Sequence, residues 1–266
     1  MSLSSLPSQI PHLFFDKGTI RIENGDLIRI PGTKHDARTK SLRSYGLHYS
    51  EIVEYLKNSD LSFVDNVPDF IFSPTLQMKD LELRDYQKQA LQNWEKSSMK
   101  GCVVLPTGAG KTAVGISAIQ KINASALVIV PTIDLMDQWA NSLSKHLSID
   151  NSGDDESIRV GRLGGGEDDV QAITVATYDS AYIRASSIGN QFKLIIFDEV
   201  HHLPAPGYRL IAEQFVSPCR LGLTATIERE DGLHELIPYL TGGVVFRLGS
   251  KDLSEQKYLA EYTVDR

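Results

Sequence analysis

The chain has 266 residues, 41% of them hydrophobic and 23% charged, with a net charge of −7. That length allows one large domain or two smaller ones, and that balance is ordinary for a soluble globular protein. No apolar run approaches a membrane span, no signal-peptide pattern opens the chain, and Cys102 and Cys219 lack metal-ligand spacing, so a membrane protein, a disulfide scaffold and a zinc site are not expected.

Charge is unevenly placed. Residues 1–50 carry seven Lys/Arg against four Asp/Glu, a net of +3, and the rest carries twenty against thirty, a net of −10. A locally basic start on an acidic body permits a DNA contact there without demonstrating one.

Thr19–Ile22 and Leu27–Ile30 flank Glu23-Asn24-Gly25-Asp26, the signal for a β-hairpin. A three-residue loop would pair Ile20 with Ile30 and Ile22 with Ile28, leaving Arg21 opposite Arg29 on the other face. Like charges so placed repel mildly, and solvation with screening by Glu23 is favoured over a bound DNA phosphate as the remedy. Gly32–Gly46 reads as a basic loop. Ser50 opens a short helix with Ile52, Val53 and Leu56 on one face, and Leu61–Val64 reads as a strand. Pro68 and Pro74 bracket a linker, which puts a domain boundary near residue 78. The expected units are 1–78, small and mixed α+β, and 79–266.

The second unit starts with a helix at Leu83-Arg84-Asp85-Tyr86-Gln87, buried through Tyr86, Ala90 and Trp94. Apolar strands at Cys102–Leu105, Ala126–Val130, Ile173–Ala176, Leu194–Phe197, Leu221–Thr224 and Val244–Phe246 then alternate with helical stretches at Leu135–Lys145, Tyr178–Ala185, Tyr208–Phe215 and Leu233–Leu240. This is an α/β pattern, a parallel sheet with helices on both faces. The runs 151–156 and 164–169 read as surface loops.

Pro106-Thr107-Gly108-Ala109-Gly110-Lys111-Thr112 lies between a strand and a helix. Its glycines let backbone N–H groups close on a triphosphate at a helix N-terminus; Lys111 can reach the β- and γ-phosphates and Thr112 can ligate Mg²⁺. The alternative is a Gly-rich turn that binds nothing. Leu194-Ile195-Ile196-Phe197 runs into Asp198-Glu199-Val200-His201-His202. Two carboxylates ending a buried strand need a partner. Asp198 can hold Mg²⁺ beside Thr112 and Glu199 can polarise the attacking water. Taken alone they are two exposed acids at a strand end. Thr224 and Thr226 end a third strand, with hydroxyls placed to bond to His201. Taken alone, they are ordinary strand threonines.

Together Leu83–Gln87, Pro106–Thr112, Val130-Pro131-Thr132, Thr174–Ser180, Asp198–His201 and Leu223–Thr226 resemble the motifs of superfamily 2 helicases, in order. The resemblance implies a RecA-like domain that binds ATP and Mg²⁺, with Arg84 and Gln87 at the adenine, and Thr132 and Thr177 on one DNA strand. It implies coupling of nucleotide state to DNA through His201, Thr224 and Thr226. Arg229-Glu230-Asp231, directly after that motif, is similar to the Arg-Glu-Asp element of XPB-type 3′-to-5′ DNA helicases of excision repair and transcription, and residues 12–75 resemble the damage-recognition domain of archaeal members. That places Arg229, Glu230 and Asp231 near a duplex junction.

By the same resemblance the chain is the N-terminal half of a motor whose second RecA-like domain supplies arginine fingers, with Lys257–Arg266 starting the connection to it, so this half alone is expected to be weakly active or inactive. A nuclease partner or a repair–transcription complex is implied, in the cytoplasm for an archaeal protein and the nucleus for a eukaryotic one. Three alternatives stay open: a non-catalytic damaged-DNA-binding module, the motor part of a restriction-type translocase, and an RNA helicase.

Overall fold

The structure is a computed structural model that describes residues 10–25, 29–151 and 154–249. Residues 27, 28 and 257–266, which carry two of the expectations above, lie outside the described residues.

The N-terminal unit comprises β1 (His12–Asp16), β2 (Thr19–Glu23), β3 (Lys34–Asp36), β4 (Ser41–Tyr45), α1 (Tyr49–Asn58) and β5 (Val64–Asn66), in one sheet of order β3-β4-β2-β1-β5. Alternation in β2 buries Ile20 and Ile22, which join Leu13, Ile52, Leu56 and Val67 in a small core. Helix α1 lies over this apolar face. The expected hairpin partner of β2 is wrong. Both edges of β2 are taken, by β1 (Leu13 opposite Ile22) and by β4 (Ile22 opposite Leu42), so no edge remains for Arg29 and Ile30. The short helix starts at Tyr49 without a side-chain cap, and the strand expected at Leu61 starts at Val64.

The chain continues through β6 (Leu76–Met78), α2 (Asp85–Lys96), β7 (Lys100–Val104), α3 (Lys111–Ile122), β8 (Ala126–Val130), α4 (Ile133–His146), β9 (Leu147–Asn151), β10 (Asp154–Ser157), β11 (Val160–Gly164), β12 (Glu167–Asp168) and β13 (Ile173–Thr177). It then forms α5 (Tyr178–Ile188), β14 (Leu194–Asp198), α6 (Arg209–Gln214), β15 (Cys219–Thr224), α7 (Ile237–Thr241) and β16 (Val244–Arg247). The main sheet has the order β12-β11-β13-β8-β14-β15-β7-β16, parallel except for β12. Strands β8, β13, β14 and β15 are buried at every position because both faces are covered. One core lies under α2, α3 and α4, the other under α5, α6 and α7.

Three readings are refined. The stretch Leu233–Leu240 divides into a 3₁₀ turn, Leu233–Leu236, and α7, because Pro238 lacks an N–H and suits only a first helical turn. Residues 151 and 154–156 belong to the β9–β10 hairpin, and residues 164–168 make the β11–β12 hairpin with Gly165 and Gly166 at positive φ.

The two units share a packed seam. Val216 sits in the N-terminal core. Asn190 Nδ2 donates to the Val67 carbonyl at 3.0 Å, and Asp69 N and Ile71 N donate to the carbonyls of Asn190 and Gln191. A side chain at Gly46 would put its Cβ 2.3 Å from the Gln214 carbonyl oxygen, so only glycine fits there. Strand β6, before residue 79, pairs with β9.

Candidate nucleotide and nucleic-acid site

Register places the candidate residues on one edge. Asp198 lies opposite Leu223, and Thr224 opposite Val104, so β14, β15 and β7 end together where the Gly-rich loop leaves β7. Carboxyl ends of parallel strands are where ligands sit in such sheets. Gly108 and Gly110 turn the loop at φ +80° and +78°, a region that favours glycine, and α3 begins at Lys111. Thr107 and Gly108 are exposed, and Thr112 is half-buried in the first turn of α3.

Lys111 Nζ lies 3.6 Å from Glu199 Oε1 and 3.5 Å from the Leu105 carbonyl. Glu199 itself is held at φ +48°, unusual for a side-chain-bearing residue, and this aims it back across the strand end. Its second oxygen, Oε2, accepts the Thr224 hydroxyl at 3.2 Å and lies 3.4 Å from His201 Nδ1. His201 Nδ1 is 3.0 Å from Thr224 Oγ1, and partial burial lowers its pKa, favouring the neutral imidazole. Of the two threonine hydroxyls expected near His201, only that of Thr224 bonds to it. Thr226 is exposed and joins through its backbone, its carbonyl lying 2.6 Å from Thr224 Oγ1 and sharing that hydroxyl's one proton with Glu199.

Asp198 is 6% exposed, and burial raises its carboxyl pKa, partly offset by its hydrogen bonds. Oδ1 accepts the Glu199 N–H at 3.1 Å and Oδ2 accepts the Trp139 indole N–H at 2.7 Å. Trp139 was not among the residues expected here. Its signal was only the buried stripe Met136, Trp139, Ala140, Leu143 of α4, which reads as core. Trp139→Phe leaves a carboxylate oxygen without its donor, and is expected to cost about 1–3 kcal/mol of stability. Thermal unfolding checks this; an unchanged midpoint would mean the indole merely packs.

Gln87 is buried, and both ends of its amide are used. Oε1 accepts the Arg84 N–H at 2.8 Å, a helix cap, and Nε2 donates to the Ala109 carbonyl at 2.9 Å. Arg84 Nη1 donates to the Tyr86 hydroxyl, which donates in turn to the Ala109 carbonyl at 2.8 Å. In this structure the first motif thus supports the Gly-rich loop from below.

Thr132 and Thr177 are the caps of α4 and α5, accepting the N–H groups of Leu135 and Ser180. Thr132 is exposed. Thr177 is 8% exposed, and its hydroxyl is bonded to Ser180. Arg229 and Asp231 form a two-bond pair at 3.0 and 2.6 Å, which draws Asp231 down to about 2. Arg229 also donates to the His201 carbonyl, which ties this loop to the carboxyl edge of the sheet. Glu230 stays exposed.

A Gly-x-Gly-Lys-Thr loop, an Asp-Glu strand end and Thr224 on one edge of a parallel sheet are the arrangement of a RecA-like motor domain. The match to known families agrees with this. Residues 80–229 match the family model described as type III restriction enzyme, res subunit, and residues 13–67 match the xeroderma pigmentosum group B helicase damage recognition domain. The chain belongs to the XPB-type superfamily 2 DNA helicases, carrying a damage recognition domain followed by that motor.

Among the relatives, it is 44% identical over 236 residues to the DNA 3′-5′ translocase XPB2 of Sulfurisphaera tokodaii, covering 89% of this chain and 51% of that protein. It is 35% identical to the DNA 3′-5′ helicase XPB of Mycobacterium tuberculosis, over 70% of this chain and 34% of that one. The chain thus spans about half, or less, of the curated relatives it matches. The crystal structure of the UvsW helicase from bacteriophage T4 shares the fold, with a TM-score of 0.50, 15% identity, and coverage of 90% of this chain and 100% of that one. No helix among the described residues is long and apolar enough to cross a membrane.

Proposed function

We propose that this chain binds Mg-ATP and DNA as part of a 3′-to-5′ DNA helicase or translocase of nucleotide excision repair, and that transcription is a second setting for it. The observation that carries the reading is the Lys111–Glu199–Thr224–His201 connection at the carboxyl edge of the sheet, next to buried Asp198. The reading divides the chain into a damage-recognition unit, 1–78, and the first motor domain, 79–266, with β6 at the seam. Arg84 and Gln87 are read as the adenine side of the site, Gln87 being freed from the loop carbonyls when nucleotide enters. Thr132 and the cap at Thr177 are read as contacts to one DNA strand, with exposed Glu230 facing the duplex junction.

The donor set suits Mg²⁺. Asp198 and Thr112 are hard oxygen ligands, and this ion takes one or two of these and completes its shell with phosphates and water. A cation there also favours the ionised form of Asp198, which burial alone disfavours. Mg²⁺ would neutralise charge developing on the phosphates.

The chain's own residues do the rest. Lys111 exchanges Glu199 for phosphate oxygens when nucleotide enters. Glu199, released on one side but still held by Thr224, orients water for in-line attack. His201 and Arg229 carry the change toward the loop at the DNA side. A second RecA-like domain supplies the arginine finger, whose absence costs roughly 10³–10⁵ in rate.

The test is ATP binding and hydrolysis with Mg²⁺, with and without duplex DNA, on this chain and on Lys111→Ala. Binding that is lost with Lys111, with little hydrolysis, is the expected result. Robust DNA-stimulated hydrolysis by the chain alone would overturn the arginine-finger argument. Failure of the unsubstituted chain to bind nucleotide would leave a damaged-DNA-binding module as the better reading.

A further inference from the structure

The N-terminal sheet has one covered face and one open face. Leu13, Ile20 and Ile22 point into the core beneath α1. The residues between them point the other way, and the ladder aligns them. Phe14 lies opposite Arg21, Arg21 opposite Arg43, and Arg43 opposite Lys34. Residues directly opposite share a face, so three cations stand in one row across β2, β4 and β3, a span of about 10 Å at the usual strand spacing. The conflict foreseen between Arg21 and Arg29 exists, but its second member is Arg43.

Such a row is unfavourable in the free protein, and its compensation is incomplete. Arg43 is held by Asp16 at 2.6 Å and Asp36 at 3.0 Å. Arg21 pairs with Glu23 at 3.1 Å and lies over the Phe14 ring at 5.3 Å, yet its Nε is buried without an acceptor. Lys34 is exposed. These cations belong to the basic first fifty residues of an otherwise acidic chain.

One end of the row opens into a groove of about 440 Å³, lined by Thr19, Lys34, Arg43, Tyr45, His48 and Tyr239 among others. Tyr45 comes from β4 and Tyr239 from α7 of the motor, and they are 46% and 49% exposed. Tyr239 is fixed to the N-terminal unit by its hydroxyl, 3.3 Å from His48 Nε2. Two exposed aromatic rings beside a line of cations fit a nucleic-acid strand: phosphates need charge, and an unpaired base needs a π-face.

We propose that the open face of the N-terminal sheet binds a single DNA strand, with phosphates along Arg21, Arg43 and Lys34 and one unstacked base in the groove between Tyr45 and Tyr239. This rests on the reading of the chain as DNA-acting and locates a surface separate from the motor's strand-end site. Because the groove is built from both units across a packed seam, the base site keeps a fixed position relative to the first motor domain.

The test uses fluorescence anisotropy with a short labelled single-stranded oligonucleotide, and a second oligonucleotide carrying one 2-aminopurine. Lys34→Glu is expected to weaken binding about tenfold at low salt and to reduce the slope of log K against log[salt] by roughly 0.7 for each phosphate no longer neutralised. Tyr45→Ala and Tyr239→Ala are expected to weaken binding about fivefold or more and to remove the 2-aminopurine response. Unchanged affinity and slope in Lys34→Glu, or an unchanged 2-aminopurine signal in both tyrosine variants, overturns the proposal. So does absence of DNA binding by the unsubstituted chain. Nucleotide binding is read on the same samples, so a failed motor reading shows there and a failed surface shows only in the DNA signals.

Discussion

Glu199→Gln is expected to lower the slow residual hydrolysis of this chain by about 10²–10⁴-fold, the range for loss of a general base, while nucleotide binding survives. The direction of the binding change makes this a sharp test. In the structure Glu199 competes for Lys111, at 3.6 Å, and that pairing must break before Lys111 can serve a phosphate. Removing the negative charge removes the competitor. A partly exposed ion pair is worth roughly 0.2–1 kcal/mol, so nucleotide affinity should rise slightly, by up to about fivefold. Glutamine keeps the size of the side chain and can still accept the Thr224 hydroxyl, which holds Glu199 Oε2 at 3.2 Å. General damage to the site would instead lower affinity together with rate. Nucleotide titration and single-turnover phosphate release on the two proteins separate these cases. Equal loss of affinity and rate would remove Glu199 from the water-orienting role and leave it a structural partner of Lys111.

What could be read from the chain without its fold follows from distance along the sequence. Strand, Gly-rich loop and helix are contiguous from Gly101 to Ile122, so local pattern alone places Lys111 and Thr112. Asp198 and Glu199 stand out for a related reason: two acids ending a buried strand are common, but they gain meaning once a Gly-Lys-Thr loop ends on the same edge of the same sheet. The errors lie where partners are distant. Asn24-Gly25 is a true turn signal, but β2 finds better apolar partners in Leu13 and Leu42, and tertiary pairing overrides the local hairpin. That single change of register replaces Arg29 by Arg43 and creates the cationic row. Trp139 lies 59 residues from Asp198, and nothing in an amphipathic helix distinguishes a tryptophan that merely packs from one whose N–H holds a carboxylate. The resemblance implies a place at the nucleotide for Gln87, and here its amide is spent on a helix cap and on the loop, a bond across 22 residues.

Arg220→Ala is expected to destabilise the chain by roughly 4–5 kcal/mol, lowering the thermal midpoint by about 10–15 °C. Arg220 opens no apolar pattern and sits in β15 with 2% of its surface exposed. Its guanidinium donates to the carbonyls of Ala212, Phe215, Ser217 and Leu240, with no carboxylate among these partners. Burial draws its pKa down to about 10, which still leaves it charged at pH 7. Three of these carbonyls, those of Ala212, Phe215 and Leu240, lie at the C-terminal ends of α6 and α7, where a cation also meets the negative ends of the helices. Losing it orphans several buried acceptors at once and leaves a cavity. Arg220→Met separates these causes, because methionine fills much of the space but donates nothing. If unmet carbonyls dominate, the methionine variant is nearly as unstable as the alanine one; a methionine variant within about 1 kcal/mol of the parent would show that packing alone matters. The position reaches beyond stability. Strand β15 ends in Thr224, α7 carries Tyr239, and the segment after α6 carries Val216 of the N-terminal core. Loosening Arg220 is therefore expected to slacken the carboxyl edge of the sheet and the seam between the two units together, and limited proteolysis of the alanine variant should cut first at residues 67–75, the strip that runs along that seam.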